Sequence, residues 1–369
     1  MSSISTPTSH DPPPNPTAKI HISSTAAKTF ASNLLIAHGV PPESASIIAH
    51  ALVLADLRGV DTHGIMRLEP YIQRIRSLAL NPLAAPTLHQ ITPVVAQVDG
   101  HNSFGFLGAH MGMEAVITMA QTYGIGMVSV KHSNHFGMSA WLVQQALEAD
   151  MMSLVFTNSS PALPAWGSRV PLLGVSPIAC GAPGAECGKP FILDMAPSIV
   201  ARGKIHKAAR RGEKIPLDWA LDGEGERTDD PRRALEGVML PMGGPKGSAL
   251  SVMMDIFSGV LSGSAFAGGV TGPYDRSGKE ADVGHFLVAL KPDLFMGLRE
   301  FRERMGVLYE KVVGSERMKG VERIYFPGEI ELDICEERMK MGIPFVESEI
   351  EVLNREADFV GCARIEVMS

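Results

Sequence analysis

The sequence contains few cysteines, few aromatic residues and no long apolar run. Its four cysteines, among 369 residues, form neither a disulfide framework nor a CxxC motif. Aromatic residues make up 6% of the chain, so a core of aliphatic and methionine side chains is expected. No stretch of about 18 uncharged apolar residues occurs, and the N-terminus lacks the pattern of a signal peptide. We therefore expect a reduced, cytoplasmic protein with no membrane partner.

Charge and glycine patterns exclude two further classes of protein. The chain has 33 basic and 40 acidic residues, a net charge of -7. Because neither sign forms a long run, a nucleic-acid partner is not expected. The dinucleotide fingerprint G-x-G-x-x-G is also absent, since Gly124-Ile125-Gly126 lacks the third glycine and precedes a predicted strand. A standard Rossmann domain is therefore not expected.

Hydrophobic periodicity predicts an α/β protein. Residues 1–18 are rich in proline, serine and threonine, which predicts a disordered tail. Apolar residues recur at helical spacing in segments 24–38, 42–57, 68–77, 108–123, 140–149, 246–261, 297–314 and 344–357. Apolar and β-branched runs predict strands at 94–98, 125–131, 152–157, 191–193 and 285–290, and segment 212–230 reads as a surface loop. The proline steps after residue 80 indicate a domain boundary near residue 90.

One segment concentrates reactive side chains: Asp56-Leu57-Arg58-Gly59-Val60-Asp61-Thr62-His63-Gly64-Ile65-Met66-Arg67. If a helix begins at Gly64, His63 and Arg67 lie four residues apart on one face. Arg67 would then bind a carboxylate through a two-pronged contact, and His63, with an ordinary pKa of about 6.5, could exchange a proton with the neighbouring oxygen. The pair suits a 2-oxo acid. The alternative is a solvated surface arginine beside a loop histidine.

Other candidate residues follow predicted strands or begin predicted helices. His132 and His135 follow the strand at 125–131, but no carboxylate or cysteine precedes them within ten residues. A metal site is therefore not predicted, because a divalent ion needs about three or four ligands. Lys246 follows a Gly-Gly-Pro turn, where it suits either phosphate binding or simple helix initiation. Asp194 suits either a cofactor contact or a helix N-cap.

Several segments, in order, resemble the malate/L-lactate dehydrogenase family, which includes sulfolactate, ureidoglycolate and diketogulonate enzymes. They are the segment from Asp56 to Gly64 with Arg67, Ser133-Asn134-His135-Phe136-Gly137, Thr157-Asn158-Ser159, Leu193-Asp194-Met195-Ala196, Pro241-Met242-Gly243 with Lys246-Gly247, and Phe326-Pro327-Gly328-Glu329. The resemblance implies an NAD(P)-dependent oxidoreductase that transfers a hydride between nicotinamide and a small 2-hydroxy or 2-oxo acid. It also accounts for the missing fingerprint.

The resemblance implies an α/β fold of two domains and a dimer. A non-Rossmann cofactor-binding domain with a mixed sheet would span residues 93–290. A second, largely helical domain would come from both chain ends, residues 19–92 with 291–369, and would serve the substrate and dimerisation. Family members form homodimers whose subunits complete each other's sites, so a homodimer is expected.

The resemblance also implies roles for individual residues. His63 and His135 each match a position that some members assign as the acid/base histidine, and the spacing to Arg67 favours His63. The positions that match substrate-binding residues are Thr62, Arg67 and Asn158. Those that match cofactor-binding residues are Phe191, Ile192, Leu193, Asp194, Met195, Ala196, Pro245, Lys246, Gly328 and Glu329. Thr62 stands where serine is usual, which retains the hydroxyl and adds a methyl group.

Two other functions remain open at this stage. A metal-assisted lyase or hydrolase could use His63, His132 and His135, and a non-catalytic dinucleotide-binding protein could retain the fold. Chelator sensitivity would favour the first, and coenzyme binding without turnover would favour the second. The sequence does not determine which acid is the substrate, or whether the coenzyme is NAD or NADP.

Overall fold

The computed structural model describes residues 19–186 and 188–368, and the predicted disordered tail at 1–18 lies outside them. The helices are α1 (Ser24–Ala37), α2 (Pro42–Leu57), α3 (Leu68–Arg76), α4 (Gly105–Tyr123), α5 (Ala140–Glu148), α6 (Arg202–Arg211), α7 (Pro231–Glu236), α8 (Pro245–Asp255), α9 (Leu298–Val313), α10 (Glu329–Met341) and α11 (Glu347–Val360). The strands are β1 (Lys19–Ile22), β2 (Thr87–Thr92), β3 (Val95–Asp99), β4 (Ile125–Ser133), β5 (Met152–Thr157), β6 (Pro161–Pro164), β7 (Pro171–Gly174), β8 (Ile178–Ala182), β9 (Phe191–Met195), β10 (Ala220–Leu221), β11 (Val238–Met239), β12 (Val283–Leu290) and β13 (Ile343–Val346).

A seven-stranded mixed sheet forms the centre of the fold. Its strand order is β2-β3-β4-β12-β5-β8-β9. Strands β3 and β4 are parallel and are joined by α4, whereas the other neighbouring pairs are antiparallel. Because β12 lies between β4 and β5, most of its side chains are buried, which explains its continuous apolar sequence. The prediction of an α/β fold with a mixed sheet is confirmed.

The largest cluster of buried side chains joins the N-terminal helices to the sheet. It includes Leu52 of α2, Val128 of β4, Leu142 of α5 and Leu287 of β12. A second, smaller cluster packs α6 and α7 against the segment of β6 and β7. The two ends of the chain meet where β1 pairs with β13 in antiparallel register. Within residues 19–186 and 188–368, no helix has the length and apolar character needed to cross a membrane.

Several elements differ from the sequence prediction. The helix expected at 344–357 is a strand at Ile343–Val346, because this segment pairs with β1, and the helix begins only at Glu347. The loop expected at 212–230 contains β10, which pairs with β11. Neither β2 nor α10 was predicted from the sequence. All six side chains of β2 are exposed, and α10 alternates charged and apolar residues without an apolar stripe, so neither carries a clear hydrophobic period.

Candidate active site

A tight turn carries the chain from α2 toward Arg67. Asp56 is 1% exposed, and its Oδ2 accepts a hydrogen bond from the backbone N–H of Ile65 at 2.8 Å. A Cβ on Gly64 would lie 1.6 Å from Oδ1 of Asp56, so this close approach requires glycine. Burial raises the pKa of Asp56 well above its usual value. The acid and the glycine together fix the path of the turn.

A helical segment begins directly after Gly64, as the 3-10 turn Ile65–Arg67 that leads into α3, but His63 lies outside it. His63 ends one 3-10 turn, Asp61–His63, and Arg67 ends a second, Ile65–Arg67. Gly64 between them is extended, with φ −82° and ψ −161°, because the buried carboxylate binds the backbone N–H that follows it. His63 and Arg67 therefore do not share a helix face.

The guanidinium of Arg67 is held by two neighbours. Its Nε donates to the carbonyl of Thr62 at 2.6 Å, and its Nη1 donates to the hydroxyl of Tyr274 at 2.9 Å. Its charge lowers the pKa of both His63 and His135, so it lies close to the two imidazoles. Within the described part of the chain Nη2 has no partner, and its N–H groups are available to an anion such as a carboxylate.

The structure brings the two candidate histidines together. The rings of His63 and His135 stack with their centroids 5.5 Å apart and an interplanar angle of 19°. His135 lies in the loop after β4, which Asn134 anchors by donating to Oδ1 of Asn102 at 2.9 Å and to the carbonyl of Ser103 at 2.8 Å. Both imidazoles are surrounded by protein but keep solvent-accessible surface. They therefore line a recess.

Burial and positive charge both disfavour protonation of these rings. Burial first, and then the Arg67 charge, lower the pKa of His63 to about 4. The pKa of His135 is well below its usual value, through burial first and then through the charges of Arg67, His63 and His285. Both rings are therefore neutral near pH 7, and each has one nitrogen that can accept a proton.

Tyr71 orients the ring of His135. Its hydroxyl lies 2.7 Å from Nδ1 of His135, and the N–H of Gly137 lies 3.2 Å from the same nitrogen. Tyr71 is 2% exposed and packs edge-on against Phe104 and Phe106, which fixes its own ring. Burial also raises the pKa of the Tyr71 hydroxyl, so the hydroxyl stays neutral. Because Nδ1 faces the protein, Nε2 is the nitrogen of His135 left for a substrate.

The side chain that contacts the ring of His63 is more exposed than Tyr71, which contacts His135. Nδ1 of His63 lies 2.9 Å from Oγ1 of Thr62, an exposed hydroxyl that can donate or accept, so either tautomer of His63 fits. Sequence reasoning identified this pair but missed Tyr71 and Tyr274. Tyr71 follows Arg67 by four residues, a helical spacing that could have indicated it. Tyr274 is 207 residues from Arg67 in sequence, and no local pattern connects the two.

Asn158 and His132 have other contacts. The Asn158 side chain is 2% exposed, with Oδ1 accepting from the N–H of Gly284 at 3.0 Å and Nδ2 donating to the carbonyl of Ala265 at 2.7 Å. Asn158 thus links the start of β12 at Gly284 to the segment around Ala265. Its role in substrate binding stays a prediction. Nδ1 of His132 lies 3.1 Å from the carboxylate of Asp99. In residues 19–186 and 188–368, no group of three or more His, Cys, Asp or Glu side chains is arranged to hold a metal ion.

The predicted cofactor residues lie on three adjacent segments. At the sheet edge formed by β9, the N–H of Ile192 donates to the carbonyl of Pro327 at 3.0 Å. Gly328 has φ +90°, and a Cβ there would lie 2.6 Å from Cβ of Ile192, so this contact requires glycine. The N–H of Met242 donates to the carbonyl of Pro197 at 2.8 Å, which brings the start of α8 against the end of β9. The residues predicted to bind the cofactor on these segments are Phe191, Ile192, Leu193, Asp194, Met195 and Ala196, then Pro245 and Lys246, then Gly328 and Glu329.

Asp194 connects the cofactor segments to the His135 loop. Its Oδ2 accepts from the N–H of Ala140 at 2.8 Å, so Asp194 caps the start of α5. The sequence allowed it to cap a helix directly after it, but no helix begins there. Burial raises the pKa of Asp194 to about 6, against the lowering effects of backbone hydrogen bonds from Ala140 and Ser139 and of the Arg58 charge. Asp194 is nevertheless an exposed residue of β9.

Glu329 and Lys246 occupy contrasting positions. Glu329 is 2% exposed, and its carboxylate accepts from the N–H of Phe326 at 3.0 Å, the hydroxyl of Tyr309 at 3.1 Å and the guanidinium of Arg323 at 2.5 Å. Its side chain therefore holds the turn that places Gly328. Lys246 is exposed at the second position of α8, so the expected helix initiation is observed.

The donor set at this edge suits a dinucleotide. In an antiparallel strand the N–H and C=O of one residue point the same way, and those of Ile192 point away from β8 toward Pro327. Asp194, two residues on, directs its backbone groups to the same edge, where the described residues provide no backbone partner. A carboxamide, such as that of nicotinamide, carries one acceptor and one donor group that complement the open backbone N–H and C=O of Asp194. Lys246 and the start of α8 offer positive charge to phosphates.

Known proteins match nearly the whole chain. A family model described as malate/L-lactate dehydrogenase matches residues 22–354. Malate dehydrogenase from Pyrococcus abyssi is 36% identical over 347 residues, covering 92% of this chain and 94% of the relative. The solved structure of sulfolactate dehydrogenase from Methanocaldococcus jannaschii matches with a TM-score of 0.88 and 32% identity, covering 93% of this chain and 98% of that one.

Two further relatives carry a coenzyme in their names. They are (2R)-3-sulfolactate dehydrogenase (NADP(+)) from Chromohalobacter salexigens, 33% identical over 82% of this chain and 90% of the relative, and ureidoglycolate dehydrogenase (NAD(+)) from Escherichia coli, 33% identical over 80% of this chain and 84% of the relative. The prediction of an NAD(P)-dependent oxidoreductase of small hydroxy acids is confirmed, and neither the lyase or hydrolase nor the non-catalytic binding protein is favoured. The chain belongs to the malate/L-lactate dehydrogenase family.

Proposed function

We propose that the recess around His63, His135 and Arg67 binds a small 2-hydroxy or 2-oxo acid next to the nicotinamide of NAD(P). The observation that carries the proposal is the stacked histidine pair close to a guanidinium, which combines proton exchange and carboxylate binding in one recess. Arg67 binds the carboxylate. Thr62, whose hydroxyl contacts the ring of His63 and whose carbonyl contacts Arg67, is the neighbouring substrate-binding residue. The nicotinamide, when bound, supplies or accepts the hydride.

Of the two histidines, His135 is proposed as the acid/base residue. The sequence favours His63 through a helix face shared with Arg67, but His63 lies in the separate turn before Gly64. His135, by contrast, is oriented by the buried hydroxyl of Tyr71, the arrangement expected of a catalytic base. With Nδ1–H donating to the Tyr71 hydroxyl, Nε2 of the neutral ring can accept the substrate's proton, and Nδ1 keeps the same contact when the ring is protonated. His63 then binds and encloses the substrate.

Substrate binding itself adjusts the proton affinity of His135. The Arg67 charge lowers the pKa of His135 in the free protein. A substrate carboxylate on Arg67 offsets that charge, so the pKa of His135 rises when an acid is bound. The ring is therefore neutral when it accepts a proton from a hydroxy acid, and it holds a proton more readily when it must donate one to a 2-oxo acid.

The Arg67 role predicts a selective effect of Arg67→Lys. A lysine ammonium cannot reproduce the guanidinium fork, so the KM for carboxylate substrates should rise about tenfold or more while the fold is retained. Steady-state kinetics and circular dichroism measure the two quantities. An unchanged KM would contradict the carboxylate role.

Substrate and coenzyme choice are tested by one panel assay. The absorbance of the reduced nicotinamide is followed with NADH and with NADPH, against pyruvate, oxaloacetate, 3-sulfopyruvate and a cyclic imine carboxylate. The relatives named for malate and sulfolactate support acids with a second anionic group. Turnover of none of these compounds with either coenzyme would contradict the proposal.

The cofactor is proposed to lie along β9, between the start of α8 and the Gly328 turn. The open edge at Asp194 supports this position for the nicotinamide, and the exposed Lys246 supports a position for the phosphates near α8. Because the Glu329 side chain is enclosed by its partners, its contribution is to place Gly328. Loss of coenzyme affinity in Lys246→Ala, with no loss of stability, is the expected result.

We also propose the two-domain division and a homodimer. The pairing of β1 with β13 supports a domain built from both chain ends, residues 19–92 with 291–369, beside a cofactor domain of residues 93–290. An apolar stripe supports the dimer, because Val252, Ile256 and Val260 are spaced four residues apart and are 42%, 50% and 54% exposed. A cytoplasmic location is supported by the free thiols of Cys180, Cys335 and Cys362.

A further inference from the structure

A surface loop between Thr271 and Ala281 reaches across to the substrate recess. The N–H of Thr271 donates to the carbonyl of Ala281 at 3.1 Å, which closes the base of the loop. Inside it, Oδ1 of Asp275 accepts from the N–H of Ser277 at 2.9 Å and from its hydroxyl at 2.5 Å, which shapes the turn. The loop is therefore internally structured although its tip is exposed.

A buried arginine of α3 forms hydrogen bonds with this loop. Arg74 is 2% exposed, and its guanidinium donates to the carbonyls of Gly272 at 3.2 Å, Asp275 at 3.5 Å and Lys279 at 3.0 Å. It also donates to the carbonyl of Ala79 in the turn after α3 at 3.3 Å. One buried cation thus ties three points of the loop to the helix that follows Arg67.

A second contact joins the loop to α3 at the surface. Nη2 of Arg276 lies 3.5 Å from the carboxylate of Glu69, in the first turn of the helix. Because Arg276 is largely exposed, this ion pair adds little energy on its own. Like the hydrogen bonds of Arg74, it joins the loop to α3.

Held in this way, the loop places Tyr274 on the guanidinium that binds the substrate. The hydroxyl of Tyr274 accepts from Nη1 of Arg67 at 2.9 Å, and the ring centroid lies 5.5 Å from Cζ of Arg67. The proton of that hydroxyl has no acceptor in the part of the chain that the structure describes. A phenol that accepts from a cation while its own O–H is free presents a donor beside the free N–H groups of Arg67.

We propose that Tyr274 is a further substrate-binding residue, whose hydroxyl donates to the carboxylate that Arg67 holds, and that Arg74 is the positioning residue for it. The inference rests on the proposed role of Arg67. The contact with Arg67 strengthens the O–H as a donor, because consecutive hydrogen bonds in a chain polarise one another. The carboxylate therefore receives hydrogen bonds from both the guanidinium and the phenol.

The test is Tyr274→Phe, which keeps the ring over Arg67 and removes only the hydroxyl. The KM for the 2-oxo acid that the enzyme reduces should rise about tenfold, the value of one hydrogen bond to a charged group, while kcat changes less than about twofold. The effect should vanish with the corresponding 2-oxo amide, which carries no charge. Tyr123→Phe, which removes an exposed hydroxyl at the end of α4, is the matched control and should leave KM unchanged.

Arg74→Lys tests the positioning role separately. An ammonium cannot donate to four separate carbonyls, so hydrogen exchange of residues 272–279 should accelerate and KM should rise as in Tyr274→Phe. Coenzyme affinity should stay as in the unmodified enzyme. Faster exchange with an unchanged KM, or no change in exchange, would overturn the role of Arg74.

The outcomes separate this inference from the proposed function. If Arg67→Lys raises KM and Tyr274→Phe does not, the Tyr274 contact fails while the carboxylate role of Arg67 stands. If neither variant raises KM, the proposed function of the recess fails. If Tyr274→Phe lowers kcat and leaves KM unchanged, the hydroxyl acts in chemistry rather than in binding, and the inference is overturned.

Discussion

Hydroxyl groups accompany the charged and titratable residues of this recess. Tyr71 contacts His135, Thr62 contacts His63, and Tyr274 contacts Arg67. A hydroxyl can donate or accept, so each of these contacts survives a change of protonation next to it. Only the Thr62 pair joins residues adjacent in sequence, whereas Tyr71 is marked only by its spacing from Arg67 and Tyr274 by no local pattern.

His285 offers a residue-scale test of how strongly this interior excludes charge. It is fully buried, with Nδ1 2.7 Å from Oγ1 of Thr157 and Nε2 2.8 Å from Oγ of Ser133, and burial lowers its pKa from 6.5 to about 3. The unfolded chain takes up this proton as the pH falls below 6.5, whereas the folded chain does not until about 3. The free energy of unfolding therefore falls as the pH drops through this interval.

We expect His285→Gln to flatten that dependence between pH 6.5 and 3. Urea unfolding at a series of pH values measures it. His89→Gln, a change at an exposed histidine of β2, is the control and should keep the slope. A His285→Gln slope equal to that of the unmodified chain would show that His285 takes up its proton equally in the folded and unfolded states.

At the scale of elements, the close contact between Gly328 and β9 shapes the proposed cofactor site. A Cβ at Gly328 would lie 2.6 Å from Cβ of Ile192, in addition to the strain of φ +90°. Gly328→Ala should therefore push the turn away from β9 and weaken NAD(P)H binding about tenfold, measured by fluorescence titration. Gly320→Ala shares the positive φ, +84°, but meets nothing within 4 Å, so it isolates the strain and should leave coenzyme affinity unchanged.

Elements with a strong hydrophobic period could be predicted, and those defined by partners could not. The predicted segments 42–57 and 152–157 coincide with α2 and β5, because each buries a continuous apolar sequence. The sequence of β13 alone predicts part of a helix. The segment is a strand because it pairs with β1, more than 300 residues away. The turn at Gly64 also depends on a partner outside the local pattern, since the buried side chain of Asp56 accepts from the N–H of Ile65.

The whole molecule leaves an apolar stripe on α8 and the residues after it. In the proposed homodimer, a second copy of the chain would cover Val252, Ile256 and Val260. We expect Ile256→Glu to convert the homodimer to a monomer, measured by sedimentation velocity, because burying a carboxylate in an apolar interface is costly. Leu217→Glu, at an exposed leucine outside the stripe, should not change the sedimentation coefficient. A monomer in the unmodified protein would contradict the homodimer.

The overall arrangement was more predictable than the details of the site. The order of motifs along the chain indicated the family and the sheet class, because those motifs include the ends of β4, β5 and β9, where the recess and cofactor edge form. The assignment of the acid/base residue could not follow from sequence, since it depends on the Tyr71 contact and on the path of the turn through Gly64.

The pH dependence of kcat/KM and kcat for His135→Ala and His63→Ala tests the central claim most directly. If His135 is the acid/base residue, its removal should lower kcat by about 10² to 10⁴ and abolish one limb of the profile, whereas His63→Ala should raise KM and keep that limb. In the unmodified enzyme the pKa seen in kcat should exceed that in kcat/KM, because bound carboxylate offsets the Arg67 charge. A complete profile in His135→Ala, with a limb lost in His63→Ala, would contradict the account and assign proton transfer to His63.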